Sequence, residues 1–87
     1  MKKVTLLGKN YVAEKVLNGD DYESVYELYE LYFQEAVDAI LKYGEEVPKD
    51  FDLSNIDERE CSYTNGYAIY AFENLMGSFD YLLLKEV

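Results

Sequence analysis

Carboxylates are the main side chains of this sequence that could do chemistry. There are 18 Asp and Glu residues against 8 Lys and Arg, with one Cys and no His. Without His, the sequence lacks the usual general base, the Ser–His and Cys–His dyads, and imidazole ligands for a metal. It also contains no glycine-rich phosphate loop. A pair of carboxylates would still need a pocket, which a small single-helix domain can hardly enclose. We therefore predict that the protein is not an enzyme and uses no metal or cofactor.

One acidic segment comes close to a known metal motif. Asp50, Asp52 and Ser54 have the alternating spacing of the start of a calcium-binding loop. The sixth position of that pattern is Asn55 where the loop needs Gly, and the twelfth is Cys61 where it needs a bidentate Glu. We interpret the segment as a solvated acidic loop.

Cys61 is the only cysteine, so the chain cannot form an internal disulfide. We predict that it is a small core-facing residue whose acidic neighbours raise its thiol pKa. A single thiol fits a reducing compartment, and no apolar stretch approaches the 18 or more residues of a membrane span. We expect a cytoplasmic protein.

The charge of the chain disfavours anionic partners and favours a basic one. The net charge is −10, which argues against direct binding to nucleic acid or to an anionic membrane. The acids are also concentrated, because residues 20–60 hold 14 of them against Lys42, Lys49 and Arg59. This imbalance favours a basic protein as partner.

The element that positions most of these acids is a helix predicted for residues 20–44. Asp20 can cap its N-terminus with Glu23 three residues later, and Gly44 followed by Pro48 ends it. Apolar residues recur with helical period and predict a buried side about six turns long. They are Tyr22, Val25, Tyr29, Tyr32, Phe33, Ala36, Ala39, Ile40 and Tyr43, with Leu31 and Val37 at the margins.

The N-terminal residues predict a short strand at 3–7. Residues 10–17 are ambiguous. A second strand, joined to the first by a turn at Gly8-Lys9-Asn10, is favoured over a short helix packed against the long one. Residues 45–60 read as a surface loop in which Phe51, Leu53 and Ile56 are anchors.

The last third of the chain predicts a meander of three strands. Asn65-Gly66 is a strong hairpin signal that should pair residues 60–63 with 67–73. A turn at 74–77 then returns the chain as a strand at 79–86. A helix over 67–76 is the competing interpretation, but Tyr, Ile and Phe favour a strand with two apolar faces. The predicted fold is therefore α+β, a single compact domain over residues 1–87, with one long amphipathic helix on a small antiparallel sheet.

The acids of the helix and of the loop are the candidate partner-binding residues. On the helix, Glu23, Glu27, Glu30 and Asp38 form a row, and the apolar Leu41 among them could anchor an interface. The alternative for Leu41 is that the loop folds over it. The sequence does not show whether helix and loop acids share one side. The full candidate set is Asp20, Asp21, Glu23, Glu27, Glu30, Glu35, Asp38, Leu41, Glu45, Glu46, Asp50, Asp52, Asp57 and Glu58.

In size, charge and composition the chain resembles the small phage-encoded inhibitors that mimic nucleic acid, such as anti-CRISPR and anti-restriction proteins. That resemblance implies a protein that occupies the basic groove of a nuclease. The alternative is an acidic homodimeric interaction module or small regulatory subunit without mimicry. A mimic should lose inhibition when Glu27 and Glu30 are changed to Lys, whereas a self-associating module should survive high salt.

Overall fold

The computed structural model describes residues 3–20 and 32–87. These residues form five strands and one α-helix: β1 (Lys3–Leu6), β2 (Lys9–Asn18), α1 (Phe33–Tyr43), β3 (Cys61–Thr64), β4 (Tyr67–Glu73) and β5 (Phe79–Glu86), with a 3-10 turn at Glu58–Glu60. The strands build one antiparallel sheet in the order β1-β2-β5-β4-β3. The predicted α+β fold is confirmed.

Two tight turns determine how the hairpins at the ends of the sheet pair. The predicted Asn65-Gly66 turn is confirmed, and both residues have positive φ, 36° and 84°. The N-terminal hairpin is also confirmed, so the helical alternative for residues 10–17 is wrong. Its turn lies at Leu7-Gly8, one residue earlier than expected, with φ of 51° and 77°. The early turn pairs Leu6 with Lys9, and Leu6 is buried.

The C-terminal meander follows the predicted strand, turn and strand. Residues 67–73 form β4, so the competing helix over 67–76 is wrong. Ile69 faces the core beneath α1, while its neighbour Ala68 faces the opposite core. A strand with two apolar faces suits this interior position in the sheet.

A β-bulge in β2 allows this strand to place side chains both in the core beneath α1 and in the core on the opposite side of the sheet. Its pairing with β5 shifts register between Ala13 and Lys15. Side chains alternate along a strand, so Ala13 and Leu17 would face the same side if the strand were regular. The shift instead turns Leu17 toward α1, while Ala13 stays in the opposite core.

The helix is shorter than predicted. It begins at Phe33, because Tyr32 has the non-helical angles φ −138° and ψ 73°. The prediction of one continuous helix over residues 20–44 is therefore wrong at Tyr32. Residues 21–31 lie outside the described part of the chain. An eleven-residue helix is about 16 Å long. It is shorter than β2 and β4, which have ten and seven residues.

The buried side of α1 is carried by Ala36, Val37 and Ile40, which pack on the sheet with Leu17 and Leu83. Val37 was expected at the margin and is fully buried, whereas Tyr32 and Tyr43 were expected on the apolar side and are exposed. Among residues 3–20 and 32–87, no helix has both the length and the apolarity needed to cross a membrane.

Gly44 ends the helix as predicted, but for a different physical reason. Its backbone is extended, with φ −69° and ψ 159°, instead of left-handed. A Cβ at this position would lie 2.4 Å from the Ile40 carbonyl oxygen and 3.1 Å from Lys15 Cβ. Glycine is needed here because a Cβ would clash with the Ile40 carbonyl of the helix. The chain also passes close to β2, where Glu45 forms a backbone bridge with Val16.

The other side of the sheet is covered by residues 45–60, which we call the acidic loop. The predicted anchors are confirmed, since Phe51, Leu53 and Ile56 pack in the core opposite the helix. The sheet curls around this core, bringing the Tyr11 and Tyr63 rings to a centroid distance of 6.1 Å. The sheet therefore lies between α1 on one side and the acidic loop on the other.

Candidate protein-binding surface

The acidic loop carries the densest negative charge in the part of the chain that the structure describes. Its seven acids stand against Lys49 and Arg59. Glu45, Glu46, Asp50, Asp52, Glu58 and Glu60 are exposed. Arg59 is engaged within the loop, because its guanidinium donates to Asp57 from Nη2 at 3.0 Å and from Nε at 3.2 Å. These hydrogen bonds are the main cause of the lowered Asp57 carboxyl pKa.

Three of the predicted partner-binding acids also hold the loop in its shape. Asp52 accepts hydrogen bonds from the backbone N–H of Ser54 at 2.9 Å and from Asn55 Nδ2 at 3.1 Å. Asp57 caps the 3-10 turn by accepting from the Arg59 backbone N–H at 2.9 Å. Glu58 accepts from the backbone N–H of Leu7 at 2.7 Å, which ties the loop to the first hairpin. The acidic loop is therefore held in place by its buried apolar anchors and by the hydrogen bonds of these three carboxylates.

The acids of α1 form a separate surface. Glu35 and Asp38 are exposed on the helix, and Asp38 accepts a hydrogen bond from Gln34 Nε2 at 3.3 Å. The acidic loop packs on the opposite side of the sheet, so these two acids do not join the loop acids in one surface. Leu41 is 37 % exposed on the same helix.

The remaining predicted partner-binding acids belong to the part of the sequence between β2 and α1. Asp21, Glu23, Glu27 and Glu30, together with Leu31, lie outside the described residues, as do the capping contacts expected of Asp20. Asp20 itself is exposed in the turn after β2, where its backbone N–H donates to Asn18 Oδ1 at 2.8 Å.

A second feature of the surface is the turn at residues 74–78 between β4 and β5, which we call the hairpin tip. Leu75 is fully exposed and Met76 is 81 % exposed. Asn74 organises the turn, since its Oδ1 accepts from the backbone N–H groups of Met76 at 2.9 Å and Ser78 at 3.1 Å. The sequence predicts this turn, but its apolar residues were not among the predicted site residues. The adjacent Leu75-Met76 pair within a predicted turn was the signal that could have found them.

Carboxylates surround the base of the hairpin tip. Asn74 Nδ2 donates to Asp20 Oδ2 at 3.1 Å and to Asp80 Oδ1 at 2.9 Å. Asp80 also accepts from the backbone N–H of Gly19 at 3.2 Å. Asp20 was among the predicted site residues, whereas Glu73 and Asp80 were missed because they lie in strands.

One aromatic contact links the acidic loop to the same end of the sheet. The rings of Phe51 and Phe72 meet edge to face with centroids 5.7 Å apart. Phe72 directly precedes Glu73 and the hairpin tip, and Phe51 lies between Asp50 and Asp52. The loop residue Phe51 therefore packs against the end of β4 that leads into the hairpin tip.

Cys61 lies beside this surface as a half-buried thiol whose Sγ is 3.7 Å from the Asp57 carbonyl oxygen. Its pKa is raised, as predicted. The largest cause is burial, and the charges of Asp57, Glu60 and Glu58 add to it. A thiol that stays protonated is a poor nucleophile. Packing among the residues of the loop-side core is its evident role.

Comparisons with known protein families, with curated proteins and with solved structures gave no match to this chain.

Proposed function

We propose that the protein is an inhibitor that binds a basic, nucleic-acid-binding protein through its acidic loop and occupies the groove meant for nucleic acid. The observation that carries the proposal is the exposed loop itself. It has seven acids and two bases, a local net charge of −5, and is fixed against one side of the sheet.

A fixed arrangement of charges matters for affinity. A mobile acidic segment would lose conformational entropy on binding, whereas a surface that is already ordered avoids most of that loss. Leu53 is buried, and Glu58 connects the loop to Leu7, so the loop that carries the carboxylates is held at several points.

Electrostatics also explains why such a surface needs a partner. Concentrating like charges destabilises the folded chain through self-repulsion. A groove lined with Lys and Arg removes that repulsion on binding and speeds association by steering. Both effects depend on unscreened charge, so inhibition should weaken between about 0.1 and about 1 M salt, where the screening length falls to about 3 Å.

The test is displacement of a fluorescent DNA duplex from purified restriction nucleases and RNA-guided nucleases. The variant Glu46→Lys/Asp50→Lys reverses two exposed loop acids. The matched control Glu35→Lys/Asp38→Lys reverses two exposed acids on α1 and changes the net charge by the same amount.

We expect the loop variant to displace DNA at least about tenfold less effectively than the parent, with the helix variant close to the parent. Equal losses in the two variants would mean that only overall charge matters. If the parent displaces DNA from none of the nucleases, the proposed function is wrong.

A further inference from the structure

We propose that the hairpin tip is an apolar anchor, with Leu75 and Met76 inserting into an apolar pocket whose rim carries Lys and Arg. This inference rests on the proposed function for the basic character of the partner. The apolar contact with the partner would be made by the hairpin tip, and the acidic loop would supply the electrostatic attraction.

The hairpin tip presents its apolar side chains on an ordered backbone. The Asn74 N–H donates to the Ser78 carbonyl at 2.7 Å, and the Gly77 N–H donates to the Asn74 carbonyl at 3.1 Å. Gly77 has φ of 84°, a conformation that a residue with a side chain rarely adopts. A large apolar side chain that is bare on an ordered turn needs little further ordering to bind, which is typical of interface anchors.

The charges around the hairpin tip select among possible partners. Asp20, Glu73 and Asp80 lie at its base, so the apolar pair is bordered by carboxylates. A second copy docking tip to tip would bring the same acids together, and an anionic membrane would repel them. On a partner, an apolar pocket would accept Leu75 and Met76, and a rim of Lys and Arg would pair with the carboxylates at the base of the hairpin tip.

The experiment measures association and dissociation rates on an immobilised nuclease from which the parent displaces DNA. The tip variant is Leu75→Ser/Met76→Ser, which changes two exposed side chains. The matched control is Leu7→Asn, which replaces another exposed leucine, in the turn of the first hairpin.

We expect the tip variant to dissociate at least about tenfold faster while its association rate stays close to that of the parent. Glu46→Lys/Asp50→Lys should instead slow association, because it reduces electrostatic steering. The Leu7→Asn control should behave like the parent in both rates.

The outcomes separate the two proposals. An unchanged dissociation rate in the tip variant, with slow association in the loop variant, overturns the anchor and leaves the proposed function standing. The reverse pattern supports the anchor and overturns the role of the loop. A parent that binds no nuclease overturns both. A parent dimer in sedimentation that the tip variant abolishes would make a second copy the occupant, and the basic pocket would be wrong.

Discussion

Replacing Asn74 with Ala should be the most damaging change at the hairpin tip. The amide side chain makes hydrogen bonds with Asp20, with Asp80 and with the backbone N–H groups of Met76 and Ser78. The hydrogen bonds to Asp80 and Ser78 are partly buried and should each contribute about 1 kcal/mol to stability. The hydrogen bonds to Asp20 and Met76 are exposed and should add little. The expected loss is about 2 kcal/mol, or a melting temperature lower by about 10 °C for a domain of this size.

Circular dichroism melting of Asn74→Ala can be compared with Asn55→Ala. Asn55 is a matched control because its amide makes one exposed hydrogen bond, to Asp52 at 3.1 Å. The control should melt within about 3 °C of the parent, since an exposed bond contributes about 0.5 kcal/mol or less. If Asn74→Ala melts no lower than the control, the turn is not held by Asn74 and the ordered tip loses its basis.

Three further predictions concern other contacts of the fold. Leu7→Asn should stabilise the protein by about 1 kcal/mol in urea unfolding, because φ of 51° disfavours Leu and suits Asn; a loss would mean that the exposed leucine packs favourably. Leu53→Ala should cost about 2 kcal/mol in the same assay by removing the buried anchor of the acidic loop, and an unchanged midpoint would show that the loop is not held there. Burial raises the pKa of Tyr63 from 10.0 to about 12, so the folded state holds this proton more tightly and stability falls as pH rises through that interval. The Tyr63→Phe variant should show a shallower alkaline loss in melting experiments, and an identical pH dependence would contradict the shifted pKa.

Local signals predicted most of the sheet. Asn65-Gly66 defined the C-terminal hairpin because few residue pairs other than Asn-Gly adopt positive φ at both positions so readily. The alternation of Ala68 and Ile69 within an apolar run indicated a strand with two buried faces. The loop anchors Phe51, Leu53 and Ile56 were recognisable as apolar residues spaced among acids.

Features that depend on tertiary packing were harder to predict. Helical periodicity runs through Tyr32 without interruption, so the sequence alone could not indicate that α1 begins at Phe33. The bulge between Ala13 and Lys15 leaves no compositional signal, yet it decides which core Leu17 enters. Which side of the sheet the acidic loop covers depends on contacts between residues distant in sequence, because its anchors pack against side chains of the strands.

The central claim is that the acidic loop and the base of the hairpin tip form the main surface for a basic partner. The most direct test is a titration of ¹⁵N-labelled protein with a short oligolysine peptide, followed by amide chemical shifts. We predict that the largest shifts fall on residues 45–60 and 73–80 and disappear at high salt. Largest shifts within residues 21–43, or shifts spread evenly over the chain, would contradict it.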